Sequence, residues 1–326
     1  SLIFSGMTGS AVADASGLGI MEIEAMRKEG YDDGFSAAIT AGSAVIGPIF
    51  PPSIPLVIYG VIAGASIGNL FLAGMVPGII LALALCIYVC YIANKRNYPS
   101  GRKYAGMEFI RMTVSAIPAL LTPIILLMGI YTGIMTATEA GAVAALYALL
   151  ISIFAYRSMT LPEFIQVLKN TVKSTGQIGI MLGAAYVFSY VIAVENLPSL
   201  AGNLILSFAT TKVTFLIFVN IILFILGMLL DSAVLQLVLL PILCPIAQSL
   251  GIDMVHFGVV FTLNTMIGLC TPPFGMLLFI VTGISGEKMN TIIKEVMPMV
   301  LVMVLVLILV TFVPDVIMWL PRLFGR

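Results

Sequence analysis

Long apolar runs alternate with short polar stretches along the whole chain. The uninterrupted runs cover 70–94, 112–134, 139–156, 176–194 and 296–318. A run of this length and composition is typical of a helix that crosses a membrane. The pattern therefore predicts a chain with several transmembrane helices.

Two further apolar runs, 34–63 and 255–284, are each interrupted near the middle. The interruptions are Gly47–Ser53, which reads Gly-Pro-Ile-Phe-Pro-Pro-Ser, and Gly268–Gly275, which reads Gly-Leu-Cys-Thr-Pro-Pro-Phe-Gly. Proline has no backbone N–H and clashes with the preceding turn, so two consecutive prolines break a helix. Backbone groups freed inside a bilayer are tolerated only where they face protein, water or an ion. Both runs are therefore predicted to be broken helices that build a binding site.

The two interruptions belong to an internal repeat. An offset of 221 residues, the difference between positions 268 and 47, aligns helix breakers and turn residues without a gap. The offset superposes Gly6-Met7 on Gly227-Met228, Asp32 on Asp253, Gly47 on Gly268, and Pro51-Pro52 on Pro272-Pro273. Internal repeats of this kind mark many transporter folds.

Each broken helix is preceded by a predicted helical hairpin. The first covers residues 1–28 with its tip at Met7–Ser10, and the second covers 213–250 with its tip near Leu229–Ser232. The predicted fold is an all-α polytopic membrane protein built from repeats, each with a re-entrant hairpin and a broken transmembrane helix.

One segment, residues 158–172, is amphipathic. Its apolar residues follow helical spacing, and Thr160 and Glu163 have the spacing of a capping box at its start. The pattern predicts a helix lying along the membrane surface, as an arm beside a static domain. Thr136 and Glu139 form a similar capping pair before the span at 139–156.

Composition agrees with a membrane protein. Hydrophobic residues make up 60% of the chain, charged residues make up 9%, and the formal net charge is zero, which argues against a nucleic-acid partner. The single histidine, His256, and the scattered cysteines do not form a predicted metal site of the zinc type. Trp319 has the position of an interfacial anchor.

The distribution of basic residues predicts the topology. If residues 95–111 are cytoplasmic, then so are all of the 15 Lys and Arg residues except Lys212, Arg322 and Arg326. This distribution obeys the positive-inside rule. It also makes the two hairpins enter from opposite faces, so the repeats are predicted to be inverted.

The motifs together resemble the large membrane subunit of TRAP (tripartite ATP-independent periplasmic) transporters, the DctM-like family. The matching segments are Gly9-Ser10-Ala11-Val12-Ala13-Asp14, Gly47-Pro48 with Pro51-Pro52-Ser53, Thr136-Ala137-Thr138-Glu139-Ala140, Gly251-Ile252-Asp253, His256-Phe257-Gly258, and Gly268 with Thr271-Pro272-Pro273. The family has Thr-Pro-Thr-Glu-Ala where this chain has Thr136–Ala140, and the capping pair survives. The similarity covers essentially the whole chain.

The resemblance implies a sodium-coupled, elevator-type importer of organic acids in the bacterial inner membrane. Its partners would be a small membrane (Q) subunit and a periplasmic substrate-binding protein (P subunit). Na⁺ would be the coupling ion, and the substrate a carboxylate such as a C4-dicarboxylate or sialic acid. Because several spans precede repeat 2 and none precedes repeat 1, we also expect roughly 80–110 further N-terminal residues, judged from repeat symmetry.

Oxygen-bearing residues recur at equivalent places in the two repeats, which suits a hard cation such as sodium. The predicted sodium ligands are Ser10, Asp14, Ser43, Gly47, Pro48, Asp231, Ser232, Asn264, Gly268 and Thr271. The predicted substrate contacts are Ser10, Ser53, Thr271 and Pro272. Helix N-termini favour anions, and no Lys or Arg falls near the middle of a span to neutralise the substrate.

Simpler roles compete with ion binding at some of these positions. Ser10 and Asp231 also have the position of residues that cap the second limbs of their hairpins. Asp14 and Asn264 lie inside helical segments, where capping does not explain them, and a carboxylate at membrane depth is usually functional.

Other functions compete with a binding-protein-dependent transporter. A divalent-anion/sodium symporter that needs no binding protein has the same kind of hairpins and broken helices. An intramembrane hydrolase would need a nucleophile with a base, and the sequence shows no such arrangement, so an enzyme is not predicted. The two costly helix breaks argue against a passive membrane anchor.

The predicted domain division follows the repeats. Residues 1–69 form transport-domain repeat 1 and residues 176–295 form repeat 2. Residues 70–175 are mainly scaffold helices with the arm helix 158–172, and residues 296–326 form a C-terminal transmembrane helix.

Overall fold

A computed structural model describes residues 2, 4, 8–99, 106–195 and 210–324. These residues are helical apart from turns and loops, and six of their helical segments are long and apolar enough to cross a membrane. The predicted all-α polytopic class is confirmed. Residues Gly6, Met7, Arg102 and Lys103, which the sequence placed in a hairpin tip and a basic loop, lie outside the described residues.

The described helices are numbered in chain order. They are α1 (Ala11–Ala13), α2 (Gly19–Lys28), α3 (Asp33–Ala44), α4 (Ile54–Ala63), α5 (Ile67–Arg96), α6 (Gly106–Tyr131), α7 (Ala137–Leu150), α8 (Leu161–Val194), α9 (Lys212–Gly227), α10 (Ser232–Ser249), α11 (Met254–Gly268), α12 (Met276–Ser285), α13 (Met289–Phe312) and α14 (Asp315–Phe324). Short π-helical segments, Asp14–Leu18 and Ile151–Ala155, follow α1 and α7.

Both predicted helix breaks are present. The first separates α3 from α4, and the second separates α11 from α12. The second hairpin is formed by α9 and α10, whose tip lies between Gly227 and Ser232 as the sequence predicts. The orientation of the two repeats relative to the membrane stays a prediction.

The chain divides into two compact units. One comprises residues 1–102 and 202–326 and contains both breaks, and the other comprises residues 103–201. The domain division drawn from the sequence concerns which parts move during transport, and it also stays a prediction.

Helix α11 is the centre of the first unit, because every residue from Val255 to Gly268 is buried. It packs against α9, α10, α13, α4 and α5. In its first half, Phe257 and Phe261 form an aromatic cluster with Tyr59 of α4. The polar side chains of a helix that is buried on all sides contact protein groups rather than lipid or water.

In the second unit both predicted capping pairs are present. Thr136 and Glu139 form a complete capping box at α7. At α8, a side-chain oxygen of Glu163 accepts a hydrogen bond from the backbone N–H of Thr160 at 2.7 Å. Each pair satisfies backbone N–H groups that a helix N-terminus leaves free.

The predicted boundary between a surface helix at 158–172 and a span at 176–194 is wrong. The structure has one uninterrupted helix, α8. Every residue at the expected boundary, Lys173–Gly176, has a backbone N–H, so the helical hydrogen bonds continue. The helix is about 51 Å long at 1.5 Å per residue, compared with about 30 Å for the hydrocarbon core. Its orientation in the membrane stays a prediction.

The predicted final span at 296–318 is also corrected. Helix α13 runs from Met289 to Phe312, and a separate helix, α14, begins at Asp315. Pro314 causes the division, since it cannot donate the hydrogen bond that would continue α13.

Two arginines join the ends of neighbouring helices on one side of the first unit. The charge pattern predicts that this side is cytoplasmic. Arg27 pairs with Asp33 and donates to the backbone carbonyl of Ser285, so it joins α2, α3 and α12. The Arg96 Nη2 atom donates to both carboxylate oxygens of Glu295, at 2.9 and 2.8 Å, and this ion pair joins α5 to α13. Hydrogen bonds between charged groups are stronger than those between neutral groups.

Labelling of single cysteines can test the predicted topology in the second unit. In a background with exposed Cys86 and Cys90 replaced by serine, we expect Gln166→Cys in α8 to react with an impermeant maleimide only from the cytoplasmic side. Ile134→Cys, in the loop between α6 and α7, is the matched control and should react only from the opposite side. Labelling of both positions from the same side would contradict the topology.

Candidate ion and substrate site

The first break is held by hydrogen bonds between the hairpin tip and the interrupted helix. The backbone N–H of Ile54, at the start of α4, donates to the carbonyl of Gly9 at 3.2 Å. The Ser53 hydroxyl caps α4 by accepting from the N–H of Leu56 at 3.1 Å, and it donates to the carbonyl of Pro48. The tip therefore reaches the middle of the broken helix and supplies partners for its freed backbone groups.

Asp14 faces this break with one carboxylate oxygen unpartnered. The side chain is only 3% exposed. Its Oδ1 accepts a hydrogen bond from the Thr8 hydroxyl, whereas its buried Oδ2 has no hydrogen-bond partner. A Cβ added at Gly47 would clash with Oδ2, so the carboxylate lies directly against the broken backbone. A buried charged oxygen without a partner is costly, and a bound cation would satisfy it.

The second break repeats this construction. The N–H of Gly275 donates to the carbonyl of Met228, in the tip of the second hairpin, at 3.1 Å. The donors Ile54 and Gly275 are equivalent under the 221-residue offset. A Cβ added at Gly268 would lie 2.5 Å from the carbonyl carbon of Gly227, so tip and break touch through their backbones. The sequence repeat is therefore also a repeat of the contact between tip and break.

Polar side chains line the contacts of α11 with its neighbours. The hydroxyls of Ser232 and Thr265 lie 2.9 Å apart. Asn264 donates to the backbone and side-chain oxygens of Asn220 at 2.9 and 2.6 Å. Gln236 lies 3.5 Å from the hydroxyl of Thr262. The Oδ1 atom of Asn264 and the Oε1 atom of Gln236 are buried without partners, so each is free to accept a donor or bind a cation.

Sequence reasoning did not select several of these residues. The missed residues are Thr8, Asn220, Gln236, Thr262 and Thr265. Asn220 and Gln236 carried a usable signal, since an amide side chain inside an apolar run needs a partner. Thr265 carried none, because its equivalent in the first repeat is Ala44.

The structure places two of the predicted ligands in capping roles. The Ser10 hydroxyl accepts from the N–H of Ala13 at 3.4 Å, and Asp231 accepts from the N–H of Ala233 at 2.8 Å. Both caps were anticipated as alternatives to ion binding. Each oxygen can still accept a further contact, because a hydroxyl and a carboxylate have several lone pairs.

The other predicted ligands are directed to different partners. Ser43 donates to the carbonyl of Thr40 at 3.3 Å, and Thr271 donates to the carbonyl of Ile267 at 2.8 Å. Asn264 is directed to Asn220 on α9. The structure thus brings Asp14 and Gly47 together, whereas Asn264 bonds to Asn220 on α9 and Thr271 bonds to Ile267 at the end of α11.

A small cleft lies between the two hairpin tips. Its volume is about 110 Å³, and Ser10 and Asp231 line it from opposite repeats. Ile54 and Pro55 bring the N-terminus of α4 to the same cleft. Three helix N-termini, those of α1, α4 and α10, therefore converge there. This arrangement favours an anionic group.

Of the four predicted substrate contacts, only Ser10 lines this cleft. Ser53 precedes the lining residue Ile54, and the cleft lining includes neither Thr271 nor Pro272. The second break nevertheless contacts α3, the helix that leads into the first break, because the Cys270 thiol lies 3.1 Å from the carbonyl of Ala41.

Comparison with known proteins identifies the family. A family profile described as "Tripartite ATP-independent periplasmic transporter, DctM component" matches residues 1–316. The sialic acid TRAP transporter large permease protein SiaM of Vibrio cholerae is 43% identical over 324 residues, covering 99% of this chain and 76% of the relative. The C4-dicarboxylate TRAP transporter large permease protein DctM of Pseudomonas aeruginosa is 34% identical, covering 99% of this chain and 76% of the relative.

A third relative is longer. The sialic acid TRAP transporter permease protein SiaT of Haemophilus influenzae is 41% identical over 323 residues, and this chain spans about half of its length, 52%.

The repeated breaks, the tip contacts and the apolar helices define a multi-pass transport protein of the bacterial inner membrane. The chain belongs to the DctM family of TRAP transporter permeases, which confirms the resemblance found in the sequence. It is a transporter subunit and not an enzyme.

Proposed function

We propose that this chain is the sodium-coupled large permease subunit that moves an organic acid into the cell. It would work with a small membrane subunit and receive its substrate from a periplasmic binding protein. The observation that carries the proposal is the unpartnered Oδ2 of Asp14, buried against Gly47 at the first break. A bound Na⁺ would neutralise this carboxylate.

The first sodium site would combine Asp14 with nearby oxygens of the tip and break. Ser10, one turn before Asp14, can supply its hydroxyl, and the Gly47–Pro48 backbone can supply carbonyls. Ser43 is a less direct contributor, because its hydroxyl is directed to Thr40. Carboxylate, hydroxyl and carbonyl oxygens are the ligands that hard cations prefer.

The second sodium site would use groups around Gly268. The Thr271 hydroxyl donates its only hydrogen to Ile267, which leaves its lone pairs free to bind a cation. Asn264 offers its unpartnered Oδ1. Asp231 and Ser232 approach from the tip of the second hairpin.

The carboxylate end of the substrate would bind in the cleft between the tips, whose volume of about 110 Å³ holds only part of such a molecule. Its carboxylate would face the helix N-termini and the Ser10 and Ser53 region. Asp231, a proposed sodium ligand, lines the same cleft. The two sialic acid relatives have higher identity than the dicarboxylate relative, so we favour a polyhydroxylated monocarboxylic acid of the sialic acid type as the substrate.

Coupling would follow from the cleft that both hairpin tips line. Sodium at either break would order a hairpin tip that also lines the substrate cleft. Each ligand would therefore lower the cost of binding the other, and such coupling is reciprocal. An elevator-type movement, as implied by the family resemblance, would then carry the loaded site across the membrane.

Removing one oxygen from the second site should weaken sodium dependence. Thr271→Val keeps the side-chain shape, and Asn264→Ala removes the unpartnered amide oxygen. Each should cost about 1–3 kcal/mol, which corresponds to roughly a 5- to 150-fold higher sodium midpoint. The measurement is uptake of sialic acid into proteoliposomes against sodium concentration, with the binding protein and small subunit supplied.

Thr282→Val is the matched control, because Thr282 lies in α12 and contacts Met289. It should keep the wild-type midpoint. If Thr271→Val and Asn264→Ala also keep the wild-type midpoint and cooperativity, the second site is misassigned. Uptake that is equally fast without the binding protein would instead favour a symporter that needs none.

A further inference from the structure

The C-terminal helix α14 presents three chemically different faces. The first is buried and consists of Ile317, Met318 and Pro321. Through this face α14 packs against α5. The other two faces remain uncovered among the described residues.

The second face is apolar and exposed. Trp319 is 50% exposed and Leu323 is 66% exposed, and they lie one turn apart on the same side of the helix. Phe324 extends this face and is also exposed. The third face is polar, where Arg322 and Asp315 form an ion pair at 2.6 Å with both side chains mostly exposed.

The corner before α14 is fixed by His256. In a continuous helix the carbonyl of Val310 would accept from residue 314, but Pro314 has no N–H. The His256 Nε2 atom lies 3.0 Å from this carbonyl. Since a carbonyl only accepts, the imidazole nitrogen is the donor. The buried histidine thus satisfies the group that the proline leaves free and positions the end of α13.

The apolar face of α14 continues the surface of a membrane span. Exposed apolar residues run along the last turns of α13, at Ile308, Leu309, Phe312 and Val313. Helix α13 is long and apolar enough to cross the membrane. The exposed apolar surface therefore passes from the span directly to α14, where it meets an aromatic residue of the type enriched at membrane–water interfaces.

We propose that α14 lies along the membrane interface and binds phospholipid through Trp319, Leu323 and Phe324. On its third face, the Asp315–Arg322 ion pair lies at the level of the lipid headgroups. Because that pair is internally neutralised, α14 needs no anionic lipid. The helix would hold the end of α13 at the membrane interface, since its opposite face packs against α5 and the corner before it is joined to His256.

The depth of Trp319 can be measured directly, because it is the only tryptophan in the chain. The complete permease is reconstituted in phosphatidylcholine vesicles brominated either high on the acyl chain or near its end. The signal of Trp319 is the difference from the Trp319→Phe protein, which removes any contribution from a partner subunit. We expect at least about twofold stronger quenching by the shallow bromines, as for an interfacial aromatic residue.

Leu301→Trp in the Trp319→Phe background is the matched control. Leu301 lies at the middle of α13 and is 63% exposed, so a tryptophan there should be quenched more by the deep bromines. Replacing part of the phosphatidylcholine with phosphatidylglycerol should leave the Trp319 signal unchanged.

Three results would overturn the proposal. The first is Trp319 quenched by neither bromolipid but fully by aqueous iodide, and the second is stronger quenching by the deep bromines than by the shallow ones. The third is Trp319 that becomes protected only when the binding protein is added, which would make this face a protein-docking surface. None of these outcomes bears on sodium-coupled uptake, so the test is independent of the proposed function.

Discussion

Asp14→Asn is expected to abolish sodium-driven uptake while leaving the protein folded. Asparagine keeps the shape of the side chain and can still accept from Thr8, but it has no charge to hold a cation. Removing one partner of a buried charged pair costs about 3 kcal/mol or more, which is roughly a hundredfold loss in sodium affinity. The measurement is sodium-dependent uptake in proteoliposomes together with the sodium dependence of thermal unfolding.

The thermal measurement separates ion binding from folding. A ligand that binds only the folded state stabilises it, by about 2.7 kcal/mol at a hundred times its Kd. Sodium should therefore raise the Tm of the wild type and of the control Asp315→Asn, in which the exchanged residue is exposed. It should raise the Tm of Asp14→Asn much less. Asp14→Asn protein with the wild-type sodium midpoint for uptake would show that Asp14 does not bind the coupling ion.

Gly47→Ala is expected to have an effect of similar size through a different cause. The new methyl group would clash with Asp14 Oδ2, so the carboxylate must move or the break must open. Overpacking of this kind costs about 1–3 kcal/mol, and here the strain falls on the proposed ion ligand. We expect uptake to fall at least about tenfold for a loss above 1.4 kcal/mol.

Gly42→Ala is the matched control for this substitution. Gly42 lies in α3, the helix that precedes the break, and its added Cβ would meet Met299 Sδ at 3.4 Å, a distance of ordinary contact. Its uptake should stay close to that of the wild type. Because Gly47 and Asp14 act on one carboxylate, adding Gly47→Ala to Asp14→Asn should cause little further loss. Equal activity of the two glycine variants would contradict the contact at the break.

The sequence predicted the repeated architecture because that architecture depends on local backbone chemistry. Consecutive prolines after a glycine break a helix wherever they occur, so the ends of α3, α4, α11 and α12 could be located from residue types. The capping pair at Thr136 and Glu139 could be predicted for the same reason. Helix α8 was divided incorrectly because amphipathicity reports the surroundings of a helix and not where its hydrogen bonds end.

The details of the site depend on contacts that no local pattern contains. The selection of Asp14 rested on its depth in the membrane, but its approach to Gly47 joins residues 33 positions apart. The pairing of Asn264 with Asn220 and of Ser232 with Thr265 likewise requires the packing of α9 and α10 on α11. The division of α13 from α14 was available from Pro314, whereas the hydrogen bond of His256 to Val310 was not.

The charge of Asp14 would also make transport sensitive to the membrane voltage, because the second repeat has no carboxylate at the equivalent position. The position equivalent to Asp14 in the second repeat is Leu235. In the proposed cycle, bound sodium neutralises the Asp14 carboxylate, so this residue adds no net charge to the loaded carrier. The empty carrier returns with one negative charge on Asp14. Moving one elementary charge across 100 mV changes the free energy by about 2.3 kcal/mol. A potential that is negative inside would therefore drive the empty carrier outward, and the membrane voltage would act on the return step rather than on the loaded one.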